Sequence, residues 1–247
     1  MDLRVSLRRV LVTWILLVCV SSCSTGMESV LTTLKESQPF YRPASVKPNN
    51  SGYQYLRVVL NDKETFLALG YEDPSPQGPI EVWYSSAQQV LKIQNGRLKG
   101  ITGLNTEWSQ VDLSLAPAWD EILSQLAKNA HPLPYRWVRT RDEMPGYKVG
   151  IQEQLEVIPM VSPSRPDIRE VDLQKLIWFE EKKVNDSNQN SLINKIVNWA
   201  TKEDLPASRY AVMKQGARTV VVYSEQCIKK DICFKWQRWN APQLKYP

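Results

Sequence analysis

Residues 90–94 (Val-Leu-Lys-Ile-Gln) and 97–101 (Arg-Leu-Lys-Gly-Ile) flank the dipeptide Asn95-Gly96, which narrows the possible folds more than any other feature of the chain. Both residues accept positive φ, as a two-residue type I′ turn demands, and that turn matches the twist of an antiparallel pair. The flanks therefore form a β-hairpin. Upstream, residues 55–60 and 64–71 bracket Asn61-Asp62-Lys63 in the same way, which predicts a second hairpin. Residues 79–84 read as a further strand after the Pro- and Gly-rich turn at 73–78. Strands are expected again at 135–140, 147–158, 173–181, 219–223 and 234–239, interrupted by the proline-rich stretch 159–166 and the polar loop 185–191. Helical spacing is confined to short pieces. Trp119, Ile122, Leu123 and Leu126 share one face of 117–128, Leu192, Ile193, Ile196 and Val197 share one of 192–200, and Val30, Leu31 and Leu34 mark another. The fold class is therefore mainly β, with barrel-like or sandwich-like antiparallel sheets and two or three short packed helices.

The N-terminus carries an address. Arg4, Arg8 and Arg9 precede an uncharged run from Val10 to Val20, which is followed by Ser21-Ser22-Cys23. A bilayer span needs roughly 20 apolar residues, so this run is too short, and its basic head, apolar middle and small-residue end are those of a secretory signal. Val20-Ser21-Ser22-Cys23 looks like a lipobox, the site at which a prolipoprotein is acylated with palmitate-type chains and cut before the cysteine. The organisation that follows is a cleaved signal at 1–22, a lipidated tether with a short helix at 23–50 and a single β-rich periplasmic domain at 51–247. Each buried methylene contributes about 0.8 kcal/mol to membrane binding, and several chains on one cysteine make attachment effectively permanent. Ser24, rather than an aspartate, follows the cysteine. The expected location is the outer membrane, lipid-anchored and facing the periplasm.

That compartment sorts the cysteines. Cys19 leaves with the signal and Cys23 takes lipid, so Cys227 and Cys233 remain, a natural disulfide in oxidising surroundings. A reactive dithiol is the sharper alternative, but such pairs sit closer together, as C-x-x-C at a helix start. After processing, 28 basic and 25 acidic residues remain, an ordinary mixed surface with no nucleic-acid signature. His131 is the only histidine, so a His-dependent triad has no spare base and a His/Cys zinc cluster cannot be assembled. Neither a metal nor a cofactor is expected.

Two carboxylates roughly 5 to 9.5 Å apart suffice for glycoside hydrolysis, yet no pair stands at a convincing spacing, and no catalytic residue is assigned. The tryptophans of the mature chain either stack on sugars or fill the core. Trp236 and Trp239, three apart in one strand, should face opposite ways, leaving one as a candidate contact. Arg97, beside the hairpin turn, can donate bidentate bonds to an acidic sugar or a partner carboxylate, or form a cross-strand ion pair.

Tyr55-Leu56-Arg57-Val58, then Phe66-Leu67-Ala68-Leu69-Gly70-Tyr71, and then Gln94-Asn95-Gly96-Arg97-Leu98 with Gly103-Leu104 behind resemble the group 4 capsule polysaccharide lipoprotein family, the GfcB/YjbF type. The resemblance is best from about Cys23 to Trp119 and weakens past residue 160. It implies a non-enzymatic accessory lipoprotein for capsule or exopolysaccharide assembly or export, partnered by polysaccharide-export proteins and by polysaccharide itself. Two other classes stand beside it. One is a lipid- or glycan-binding carrier barrel, and the other is a carboxylate-dependent polysaccharide hydrolase.

Overall fold

Alternating strands leave an apolar face to hide, and this chain hides it by rolling its sheet into a ring. The computed structural model describes residues 54–128, 134–184, 204–216 and 218–239. Among them run β1 (Tyr55–Leu60), β2 (Lys63–Asp73), β3 (Ile80–Tyr84), β4 (Val90–Gln94), β5 (Arg97–Thr102), β6 (Glu107–Asp112), α1 (Trp119–Lys128), β7 (Tyr135–Met144), β8 (Lys148–Met160), β9 (Ile177–Lys183), β10 (Ser208–Gln215), β11 (Arg218–Lys229) and β12 (Ile232–Trp239). Each strand pairs antiparallel with its neighbour in sequence, and β1 pairs with β12 from Tyr55↔Trp239 to Leu60↔Phe234. The sheet is a closed barrel, not a sandwich. The described residues fall within one unit, Arg42–Pro247.

The hairpins form as their turns dictate. Asn95 and Gly96 have φ of 50° and 78°, and Asn61 and Asp62 have 47° and 62°. Inward positions follow the two-residue period: Leu56, Val58 and Leu60 on β1 lie opposite Arg238, Trp236 and Phe234 on β12. Trp83, Trp108, Trp236, Tyr210, Phe179 and Phe234 are fully buried, so the lumen is filled by aromatic mass.

α1 begins with Asp120 and Glu121 and ends with Lys128, each matched to the helix dipole. Its buried Trp119, Ile122 and Leu123 face the barrel. Trp119 packs 5.4 Å from Phe179 and 5.0 Å from Tyr210, and its indole donates to the Asn95 carbonyl at 2.7 Å. Thr219 of β11 hydrogen-bonds Asp120. Helix and hairpin tip thus meet over the inward residues of β9 and β10.

On the outside, residues 161–176 lie as a strap over β9 to β12 and β1. Leu176 joins Trp178, Ala211, Val222 and Tyr223 in a buried cluster against which Ile168 and Val171 pack.

Three expectations change. β6 and β10 were not foreseen; β6 carries an extra residue between Trp108 and Gln110, whereas β10 is regular and the extra residue opposite it is Val222 of β11, skipped between the pairs Ala211↔Tyr223 and Val212↔Val221. The strand expected at 173–181 is a 3-10 turn at Leu173–Lys175 followed by β9. Among the described residues α1 is the one α-helix. The helices expected near Val30 and at 192–200 lie outside them, as do Cys23, the signal, the tether and His131.

Candidate functional site

Inward-facing charges give this barrel its chemistry. A strand buried on one face usually sends aliphatics inward, but β7 sends Trp137, Arg139, Arg141 and Glu143. Their partners come from the strands that the closed topology places beside and across from them.

The first cluster is built on Glu181 of β9. Its carboxylate accepts from Arg97 Nε at 3.0 Å, Trp137 Nε1 at 3.2 Å and Tyr210 Oη at 2.9 Å. Arg97 reaches it because the tip of the β4–β5 hairpin leans into the ring. There Gln226 of β11 donates to the Gly96 carbonyl at 3.0 Å and accepts from the Leu98 amide at 2.9 Å. Gly96 is required at this spot, since a Cβ would meet Val221 at 2.4 Å. The guanidinium lies 4.2 Å over the Trp119 ring, with Trp137 and Tyr210 rings at 5.5 and 5.7 Å, a cation–π cage in a dry setting. Burial first, then the Glu181 charge, pushes the Tyr210 phenol well above its ordinary value.

The second cluster centres on Glu153 of β8. One of its oxygens accepts from Arg139 Nη2 at 2.8 Å and Arg141 Nε at 3.2 Å. Arg141 also donates to Glu143 at 2.7 Å, and Lys148 reaches Glu143 at 2.9 Å. Both guanidiniums stack on Trp108, at 4.8 and 4.5 Å. Burial alone would raise the Glu153 carboxyl, but the charges of Arg139 and Arg141 outweigh it and hold the group below its usual range. A third inward pair joins Arg238 to Glu81, which also accepts from Trp83 Nε1 at 3.1 Å.

Where β9 ends and β10 begins, a cleft of only ≈ 10 Å³, about one water molecule's room, gives onto this interior, lined by Arg139, Glu153, Glu181 and Lys183 together with Leu155 and Leu205. The carboxylates in it are anchored to arginines. Glu153 is kept an anion, the wrong state for the general acid of a glycosidase. A lipid carrier needs an open cavity of several hundred Å³, and the space in this cleft is far smaller.

The foreseen positions fare differently. Cys227 and Cys233 face each other across β11 and β12 and are disulfide-bonded. Arg97 is 3 % exposed; as a contact for a glycan or partner arriving from solvent it is corrected, because the leaning hairpin commits it to Glu181. Its ion pair is not with an adjacent strand but with a residue 84 positions away. Trp236 is 1 % exposed and points inward, so the same correction applies to it. Trp239 faces outward, half-buried and edge-on to Phe66 at 5.1 Å. Glu181, Tyr210 and Gln226 were missed. For β7 a signal existed: Arg139, Arg141 and Glu143 stand at two-residue spacing from Trp137, on the face an indole would bury.

No protein-family model matches the sequence, and no curated protein matches it. Among solved structures, the hypothetical lipoprotein YmcC from Escherichia coli K12 superposes with a TM-score of 0.51 over 79 % of this chain and 93 % of that one, at 16 % identity. At that identity the likeness is one of fold, and it extends over nearly the whole of the neighbouring chain.

Proposed function

We propose that this chain is a lipoprotein, acylated at Cys23 and held on the periplasmic side of the outer membrane, that acts without catalysis as an accessory factor in capsule or exopolysaccharide assembly or export. One observation carries the reading: a lipobox, Val20-Ser21-Ser22-Cys23, stands ahead of a barrel of the same fold as a protein described as a lipoprotein. The polysaccharide connection is supported by the resemblance around Asn95-Gly96-Arg97-Leu98 and Gly103-Leu104. The charged, aromatic-filled interior favours a rigid fitting among other components over a vessel for a ligand. Deleting the gene should reduce surface polysaccharide while its intracellular precursor still accumulates, and undiminished export would overturn the proposal. Replacing Cys23 by Ser should release the protein from membranes; continued attachment would remove the anchor from it.

A further inference from the structure

The outer face of β2 and β3 carries two exposed tyrosine rings side by side. Between Leu69 and Tyr71 the β2–β3 register slips: Leu69 pairs with Trp83, and Tyr71 pairs with Val82. Gly70 is the extra residue of this bulge. Without it Tyr71 would fall opposite Glu81 and point into the lumen. With it, Tyr71 shares the solvent face with Val82 and Tyr84. Bulges weaken a ladder locally and are used to re-aim a side chain, and here the re-aimed side chain is aromatic.

Gly70 does a second thing. A Cβ on it would stand 2.4 and 2.6 Å from the Cε2 and Cδ2 atoms of Tyr84, so the absence of a side chain lets the Tyr84 ring lie against the backbone of β2. The two rings stand 6.4 Å apart at 41°. Tyr71 is 47 % and Tyr84 41 % exposed, whereas Val82 between them is fully buried. The neighbouring Tyr84 above all, and the Asp73 carboxylate least, raise the Tyr71 phenol above its ordinary value.

We propose that Tyr71 and Tyr84 form a platform for a pyranose ring of the polysaccharide, with Asp73 accepting from the sugar's hydroxyls; this rests on the export role proposed above. The chemistry fits a sugar better than a protein face. A pyranose has one C–H-bearing surface, which pairs with the electron-rich face of an aromatic ring, and a rim of hydroxyls, which the phenols and a carboxylate satisfy. A Tyr84 ring seated against a glycine also loses little side-chain entropy when it binds.

The test uses the acylated mature protein in detergent micelles, with surface polysaccharide purified from the producing strain as the probe and dextran as the control. Affinity electrophoresis should show retardation by the strain's own polymer, weakened at least about tenfold by Tyr71→Ala with Tyr84→Ala. Gly70→Ala, which displaces the Tyr84 ring without removing it, should weaken retardation in the same direction, and it decides the matter if the double variant does not fold. Unchanged retardation in folded variants overturns the platform and leaves the export role standing. A wild-type protein that ignores both polymers, or crosslinks from Tyr71 and Tyr84 to a protein instead, also overturns it. Failure of the export role itself is read separately, from surface polysaccharide in the gene deletion.

Discussion

Glu181 inside the ring and Glu64 outside it both hold an arginine, but they do so in opposite company. Glu181 and Arg97 have side chains 2 and 3 % exposed, and the same carboxylate also satisfies Trp137 and Tyr210. Glu64 is 32 % exposed and shares Arg57 with Asp167, 35 % exposed, at 2.8 Å each. Arg169 adds a further contact to Glu64 at 2.8 Å. The inner acid is a hub without a substitute, whereas Arg57, although its own side chain is as buried as that of Arg97, has two acids, each about one-third exposed, to share it. A buried charge stripped of its partner cannot be resolvated, so the barrel's tolerance to change should run from nothing at Glu181 to nearly everything along the strap.

The sharpest way to break this contrast is Glu181→Ala, which strands a buried guanidinium, an indole N–H and a phenol. Urea unfolding should show a loss of about 3–5 kcal/mol. Joining Glu181→Leu to Arg97→Met should recover most of it, because replacing both partners leaves no uncompensated charge. A double variant as weak as the single one would show that the cluster is held by something other than charge pairing. Cys227→Ser with Cys233→Ser opens a loop of sequence separation 6, and the chain-entropy estimate puts the cost at roughly 2 kcal/mol. Acid provides the next, smaller test. Glu143 and Glu153 have carboxyls held below their ordinary value of 4.5; their stabilisation is complete above that value and fades as pH falls through the lower folded-state values. The unfolding free energy should therefore decline on acidification below about pH 4.5, and Glu153→Gln should flatten part of that decline. Smallest of all, Asp167→Ala should cost about 1 kcal/mol, since Glu64 and the backbone carbonyl at position 167 keep the buried Arg57 partnered. A larger loss would mean that the strap is as unforgiving as the lumen.

Local features of this molecule were legible and closing ones were not. Asn95-Gly96 and Asn61-Asp62 announce their hairpins because turn chemistry is decided within four residues. Trp236 and Trp239 face opposite ways, as their spacing requires. By contrast, β6 hides behind a bulge, where one extra residue shifts the alternation out of phase, and β10 buries Tyr210, Ala211 and Val212 in succession, so no two-residue period shows. Whether the sheet would roll into a ring or stack on itself depended on β1 meeting β12 from the far end of the chain, a matter of topology and not of pattern. Arg97 stood out from its neighbours, but its partner did not, because Glu181 becomes adjacent only once the hairpin tip has folded inward. The platform at Tyr71 was invisible for a related reason: simple alternation from Leu67 and Leu69 sends Tyr71 inward, and the slip at Gly70 reverses it.

Closure has one more consequence. Among the described residues each of the twelve strands has a neighbour on both sides, so no strand presents a full-length free edge along which another protein could extend its own sheet. The thinnest seam is between β5 and β6, which meet at the single pair Ile101↔Trp108. Contacts on the described outer wall therefore fall to side chains and rim loops, which leaves selection of a partner there to a small number of surface residues.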